Sequence, residues 1–198
     1  MKMFRKIYIP VFFFVLIIAA CNSNKKEQTT PIVSNVSTED TAANYFPVTN
    51  FLLGDINNIK TEAPTPIKKT TINGKTDSSF VKMDSLNIAF QEFLEPRIDS
   101  ANLKKYFSEK SFKDETLATF TFTYDHRANI VYDFPFINWD VMIDQETNKV
   151  KRIYLVKKID LNTTKQLTWR TGKWCKIVTI SNYKVVKEEK ITWDFDEQ

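Results

Sequence analysis

Few residues in this chain are equipped for covalent or acid–base chemistry. The 198 residues include two cysteines, Cys21 and Cys175, and one histidine, His126. Cys175 falls in the apolar run Trp174–Ile180, where a small buried residue is expected rather than a nucleophile. His126 sits in Tyr124-Asp125-His126-Arg127-Ala128-Asn129, which has the composition of a hairpin turn, so a triad built on it is not expected. Asp144-x-Glu146-x-Asn148, with Asp140 nearby, has the alternate oxygen spacing of a calcium loop, but it lacks that loop's glycine and its distant bidentate glutamate. A charged turn between Ile143 and Val150 is the expectation there, with no metal and no cofactor. Paired carboxylates for glycoside hydrolysis must stand roughly 5–9 Å apart. Asp133, Asp140, Asp194 and Asp196 fall on separate segments whose spacing fixes no such distance. Phosphate loops, nucleophile elbows and paired metal-binding histidines do not occur. A non-enzymatic protein is expected.

The informative cysteine is Cys21. Lys2, Arg5 and Lys6 precede the apolar stretch Ile7 to Ile18, which only Tyr8 and Pro10 interrupt, and Ala19 and Ala20 come before the cysteine. A basic start, a short apolar core and small residues at a cleavage point are the layout of a secretory signal. A membrane span needs about 20 apolar residues, more than Ile7 to Ala20 supplies. The run Ile18-Ala19-Ala20-Cys21 resembles the bacterial lipobox. That resemblance implies diacylglycerol on the Cys21 sulfur, cleavage between Ala20 and Cys21, and acylation of the new amino terminus. Two or more acyl chains hold a protein stably, whereas one gives only marginal binding. With Cys21 lipidated, Cys175 has no disulfide partner.

Residues 1–20 are therefore expected as a signal and residues 21–44 as a flexible tether. The tether is rich in Asn, Ser, Thr, Lys and Glu, and its r.m.s. reach is about 25 Å. Asn22 stands where an aspartate would retain an enterobacterial lipoprotein in the inner membrane, which favours the outer membrane. The formal charge of +4 falls to +1 once Lys2, Arg5 and Lys6 are removed, and the remaining lysines are scattered among acids. Nucleic acid is therefore not an expected partner. The lysines read as a solvated mixed surface.

Residues 45–198 are expected to form one α+β domain in which N-terminal helices pack on an antiparallel β-meander of five or six strands. Val48, Phe51, Leu52, Ile56 and Ile59 have helical spacing. Asn73-Gly74 marks a turn between short strands at 67–72 and 75–80. A second helix is expected from Asp84 to Glu95, carrying Leu86, Ala89, Phe90, Phe93 and Leu94 inward and ended by Pro96. A third is expected from Asp99 or Ser100, with Leu103, Tyr106 and Phe107 on one face. Strands follow. Phe120, Phe122 and Tyr124 alternate with Thr119, Thr121 and Thr123, placing the aromatic face inward. Further strands are expected at 139–143, 150–156, 167–169, 174–180 and 185–195, with turns at Thr147-Asn148, Thr171-Gly172 and Ser181-Asn182. The stretch Trp139 to Lys158 resembles the strand–turn–strand of PepSY-type periplasmic domains, with Asn148 where those have glycine; this implies a β-hairpin.

Aromatics make up 14% of the chain, with sixteen Phe. Most are expected in the core, while Phe134, Phe136 and Trp139 flank a proline loop and are the candidate ligand contacts. The chain as a whole looks like a small envelope lipoprotein, tied to the membrane through Cys21 and binding an envelope protein or a glycan. The alternative is a surface carbohydrate or small-ligand module that uses exposed aromatics.

Overall fold

Period-two alternation organises most of the chain into strands. The computed structural model describes residues 45–98, 103–128, 130 and 133–194; Ala20, Cys21 and the tether lie outside them. The strands are β1 (Ile67–Ile72), β2 (Lys75–Phe80), β3 (Phe107–Asp114), β4 (Thr119–His126), β5 (Phe136–Asp144), β6 (Val150–Lys158), β7 (Thr163–Arg170), β8 (Trp174–Ser181) and β9 (Lys184–Thr192). They form one antiparallel sheet in the order β2-β1-β9-β8-β7-β6-β5-β4-β3. β3 to β9 are a continuous meander, and β1 then pairs with β9.

The expected α+β class, with helices packed on five or six strands, is therefore wrong. Among the described residues this is a sheet-dominated fold of nine strands, and the helices there are α1 (Val48–Glu62), α2 (Leu86–Ala89) and α3 (Gln91–Leu94), the last two of four residues each. Three causes account for the error. The 67–72 and 75–80 strands join the main sheet through β9, a long-range pairing that local spacing does not reveal. β3, FSEKSFKD, is a charged edge strand largely exposed after Phe107, so it needs no apolar alternation. Phe107 consequently opens a strand and does not continue a helix; the expected caps Asp99 and Ser100 lie outside the described residues. Finally, the helix expected over 84–95 breaks at Phe90 (φ −103°, ψ 7°) and is preceded by a 3₁₀ turn at Met83–Ser85.

α1 follows its spacing, burying Val48, Leu52, Ile56 and Ile59. It stops at Ala63, which is extended (ψ 151°) because Pro64 follows. The sheet face that meets the helical segments carries the rows Trp139–Leu155–Leu167–Ile177 and Val141–Ile153–Trp169–Cys175–Ile191. All nine residues are buried. Phe90 and Phe93 meet Trp169 edge-on, with ring centroids 5.0 and 5.3 Å away.

The inward aromatic face of β4 holds at Tyr124, which is buried, and at Phe122, which is half-buried against the core. Thr119 and Thr121 are buried, whereas Phe120 is 38% exposed. β4 is next to the edge, and the Gln145 side chain closes over that end, its amide donating to the Asp114 and Thr119 carbonyls.

Asn73 and Gly74 both have positive φ, as do Asn182 and Tyr183. Two-residue hairpins with both central residues in that region favour Asn-Gly. Tyr183 strains this geometry, and its side chain is fully exposed at 102%. Left-handed backbone costs an L-residue about 1–2 kcal/mol, part of which glycine returns as unfolded-state entropy. Tyr183→Gly is accordingly expected to stabilise the fold by about 0.5–1 kcal/mol, read as a higher urea midpoint at unchanged slope.

Candidate functional site: a charged cleft

Every second residue of a strand faces the same side, so the row Lys157–Lys165–Thr179–Lys187 runs across the helix-facing side of β6, β7, β8 and β9. Beside it, Glu189 and Ile191 of β9 and Lys68 of β1 lie on the same side, in rows with Ile177 and Cys175. The residues from Ile88 to Glu95 form the opposing wall. Between them is a cleft of about 610 Å³.

Two compact charge groups border it. Glu92 accepts from Lys157 (2.9 Å) through Oε2 and from Lys165 (2.6 Å) through Oε1. Glu189 accepts from Lys68 (2.7 Å) through Oε1 and from Lys187 (2.9 Å) through Oε2. Each group is two ammoniums on one carboxylate and keeps a net positive charge. Lys157 also donates to the Glu95 carbonyl (3.0 Å). The Glu95 carboxylate lines the cleft as well and accepts from the Gln91 amide (2.8 Å). An ammonium has three donors, so each lysine retains N–H capacity for a further acceptor. Ile177, Ile191 and Cys175 make an apolar floor.

Burial alone would raise both carboxyls. The lysine hydrogen bonds and charges outweigh it, and Glu92 and Glu189 are held below the usual range. A depressed folded-state pKa gives stability that is present above the unfolded value and lost as pH falls through the folded one. Glu92→Gln is therefore expected to flatten the acid limb of the stability profile below about pH 4.3, the unfolded glutamate value, as measured by thermal melts across pH.

The candidates from the sequence are placed differently. Phe136 and Trp139 are buried in the core at 1% and 0% exposure. Phe136 packs with Phe134 at 5.6 Å, and Trp139 stacks on Tyr124 at 5.0 Å. Neither ring offers a free face, because both open β5 on its helix-facing side; Phe134 alone of the three is half-buried. Trp169 and Trp193 are buried too, and Trp174 is half-buried. Asp144 is spent on its own turn, accepting from the Glu146 and Thr147 amides and the Thr147 hydroxyl (3.2, 2.9 and 3.0 Å). Among the described residues, no group of three or more His, Cys, Asp or Glu is placed to hold a metal. His126 ends β4 with its ring edge-on to Phe107. Cys175 is buried, and burial pushes its thiol up. Among the described residues no helix is long and apolar enough to cross a membrane.

A second hollow, of about 330 Å³, lies between the end of α1 and the β7–β8 turn; Asp55, Glu62, Asp194 and Trp193 line it. Its best-defined group, Asp55, is already committed to Trp169 (2.7 Å).

Sequence reading missed the cleft lysines. Lys157, Lys165 and Lys187 lie on three strands, and only the register aligns them; the available signal was their two-residue spacing from Leu155, Leu167 and Glu189, which puts each pair on one face. No protein-family model matches this chain, and no curated protein or solved structure matches it.

Proposed function

We propose that this chain is a lipid-anchored envelope protein whose sheet domain is a non-enzymatic receptor for a small organic dianion. The observation that carries the receptor reading is the pair of lysine–glutamate–lysine groups facing one cleft. Lys165 and Lys187 are separated by a single intervening strand, so their backbones stand about 10 Å apart. Two acidic groups joined by a short apolar spacer would meet the two positive centres, with the spacer over Ile177. A neutral sugar stacked on aromatics is not part of this reading, because Phe136 and Trp139 face the core. The anchor reading rests on Ile18-Ala19-Ala20-Cys21 and the tether that follows, with Asn22 favouring the outer membrane.

Thermal unfolding of the full chain with glutarate, inorganic phosphate and glucose tests the receptor reading. A ligand that binds only the folded state raises the melting temperature by mass action. Glutarate should raise it and glucose should not; equal responses would reject the assignment. The anchor is tested separately by growth with an alkyne-tagged fatty acid. Labelling should disappear in Cys21→Ser, and persistent labelling would contradict it.

A further inference from the structure

The other face of the same sheet carries an unneutralised grid of cations. Tyr154–Thr168–Lys176–Lys190–Lys69 forms one row across β6, β7, β8, β9 and β1. Arg152–Arg170–Trp174–Thr192–Ile67 forms the adjacent row. These residues alternate along their strands with the buried Ile153, Trp169, Cys175 and Ile191, so they point away from the core.

Among the described residues, Lys69, Lys190, Arg152 and Arg170 have no carboxylate within ion-pair distance, and Lys176 reaches only Glu188, at 4.0 Å. Arg152 donates to the Met142 sulfur (3.0 Å), and the Lys190 ammonium lies over the Trp174 ring at 5.0 Å. The acids on this face are Glu188 on β9 and, toward the far edge of the sheet, Asp140, Asp144, Asp125 and Asp114. Asp140 accepts from Thr123 (2.7 Å), Asp125 pairs with Lys110 (3.1 Å), and Asp114 and Asp144 accept from amides of their own turns. Arg152 stands directly opposite Arg170, and Lys190 directly opposite both Lys176 and Lys69. Like charges directly across a ladder destabilise a sheet. A local rule broken without internal compensation marks a surface shaped for a partner.

We infer that this face docks on an anionic lipid surface, the cations meeting phosphate headgroups and the aromatic residues sitting at the interface. Strands stand about 4.7–4.9 Å apart, so the grid presents many positive charges side by side. That arrangement suits a plane of many anions better than one discrete ligand in a pocket. Trp174 and Tyr154 among the cations are of the type enriched at membrane–water interfaces. The second row continues through Ile67 to Phe80 of β2, which is 74% exposed. Basic residues combined with exposed aromatic and apolar ones make an interfacial surface. This docking is independent of the cleft and of any modification at Cys21.

Lysine acetylation footprinting of the full chain tests it, in vesicles of phosphatidylcholine alone and of phosphatidylcholine mixed with phosphatidylglycerol. Lys69, Lys176 and Lys190 should react about fivefold more slowly on the anionic vesicles, and added salt should remove the protection. Lys60, on α1, should react equally on both. Arg170→Glu, at a half-exposed position, should abolish the difference while circular dichroism confirms its fold. Lys165→Met should leave the difference intact, which separates this docking from the cleft. Equal acetylation rates on the two vesicle types would overturn the inference. So would protection by soluble polyphosphate equal to that by vesicles, which would indicate a dissolved polyanion instead.

Discussion

Trp169→Ala is expected to destabilise the protein by about 5 kcal/mol, a large part of the 5–15 kcal/mol typical of a folded domain. Trp169 has no exposed surface. Its ring meets Phe90, Phe93 and Trp193 at 5.0, 5.3 and 5.1 Å, so it joins β7 to the helical segment and to the end of β9. Removing a buried aromatic costs about 3–5 kcal/mol through lost burial and the cavity left behind. Its indole N–H also donates to Asp55, and a buried partner left alone adds about 1–3 kcal/mol. Trp169→Phe keeps most of the ring packing and loses only the donor, so its cost should be about 2 kcal/mol. Urea titration of the three proteins decides this; a cost below 2 kcal/mol for the alanine variant would mean that α2 and α3 are not fastened to the sheet through this side chain.

The second large effect is at the other end of that hydrogen bond. Asp55 is 8% exposed, and its Oδ2 accepts from the Trp169 indole (2.7 Å) and the Gly172 amide (3.4 Å). Asp55→Ala leaves the indole N–H buried and unsatisfied, at about 2–3 kcal/mol. Asp55→Asn retains an acceptor oxygen and should cost less. The pH dependence has a definite sign. Burial raises the Asp55 carboxyl above its usual range, with the Trp169 and Gly172 hydrogen bonds pulling more weakly the other way. The folded state therefore holds this proton more tightly than the unfolded state. The Asp55 contribution is fully present below about pH 3.9, the unfolded aspartate value, and declines as pH rises through the raised folded value. The gap between wild type and Asp55→Ala should narrow from pH 4 toward neutrality, and a gap that widens would contradict this reading. Because Asp55 and Trp169 share one bond, Asp55→Ala and Trp169→Ala together should cost less than their sum.

Local features of the chain were readable where a single rule decided them. The apolar spacing of Val48, Leu52, Ile56 and Ile59 gave α1, and Pro64 and Pro96 ended helical segments. Asn73-Gly74 marked its hairpin, and the alternation around Trp139, Ile153 and Trp169 marked the central strands. The fold class was misread where pairing is long-range or edges are polar. β1 joins β9 across more than a hundred residues, and β3 is a charged edge whose alternation carries no hydrophobic signal. The site was hidden for the same reason. Lys157, Lys165 and Lys187 appear as dispersed surface charge until the register sets them in one row, and Lys69, Lys176 and Lys190 form the opposite grid only through the same pairing. The aromatic motif Phe134-Pro135-Phe136 suggested an open loop, but Phe136 already belongs to β5 and fills the core.

The most direct test of the receptor account is isothermal titration of the full chain with glutarate, beside the variant carrying both Lys165→Met and Lys187→Met. Both lysines are partly exposed at the cleft, so circular dichroism can confirm that the variant keeps its fold. The account predicts saturable binding by the wild type, weakened at least about tenfold in the variant, which corresponds to about 1.4 kcal/mol. Equal affinity in the two proteins, or no saturable binding by the wild type, would contradict it.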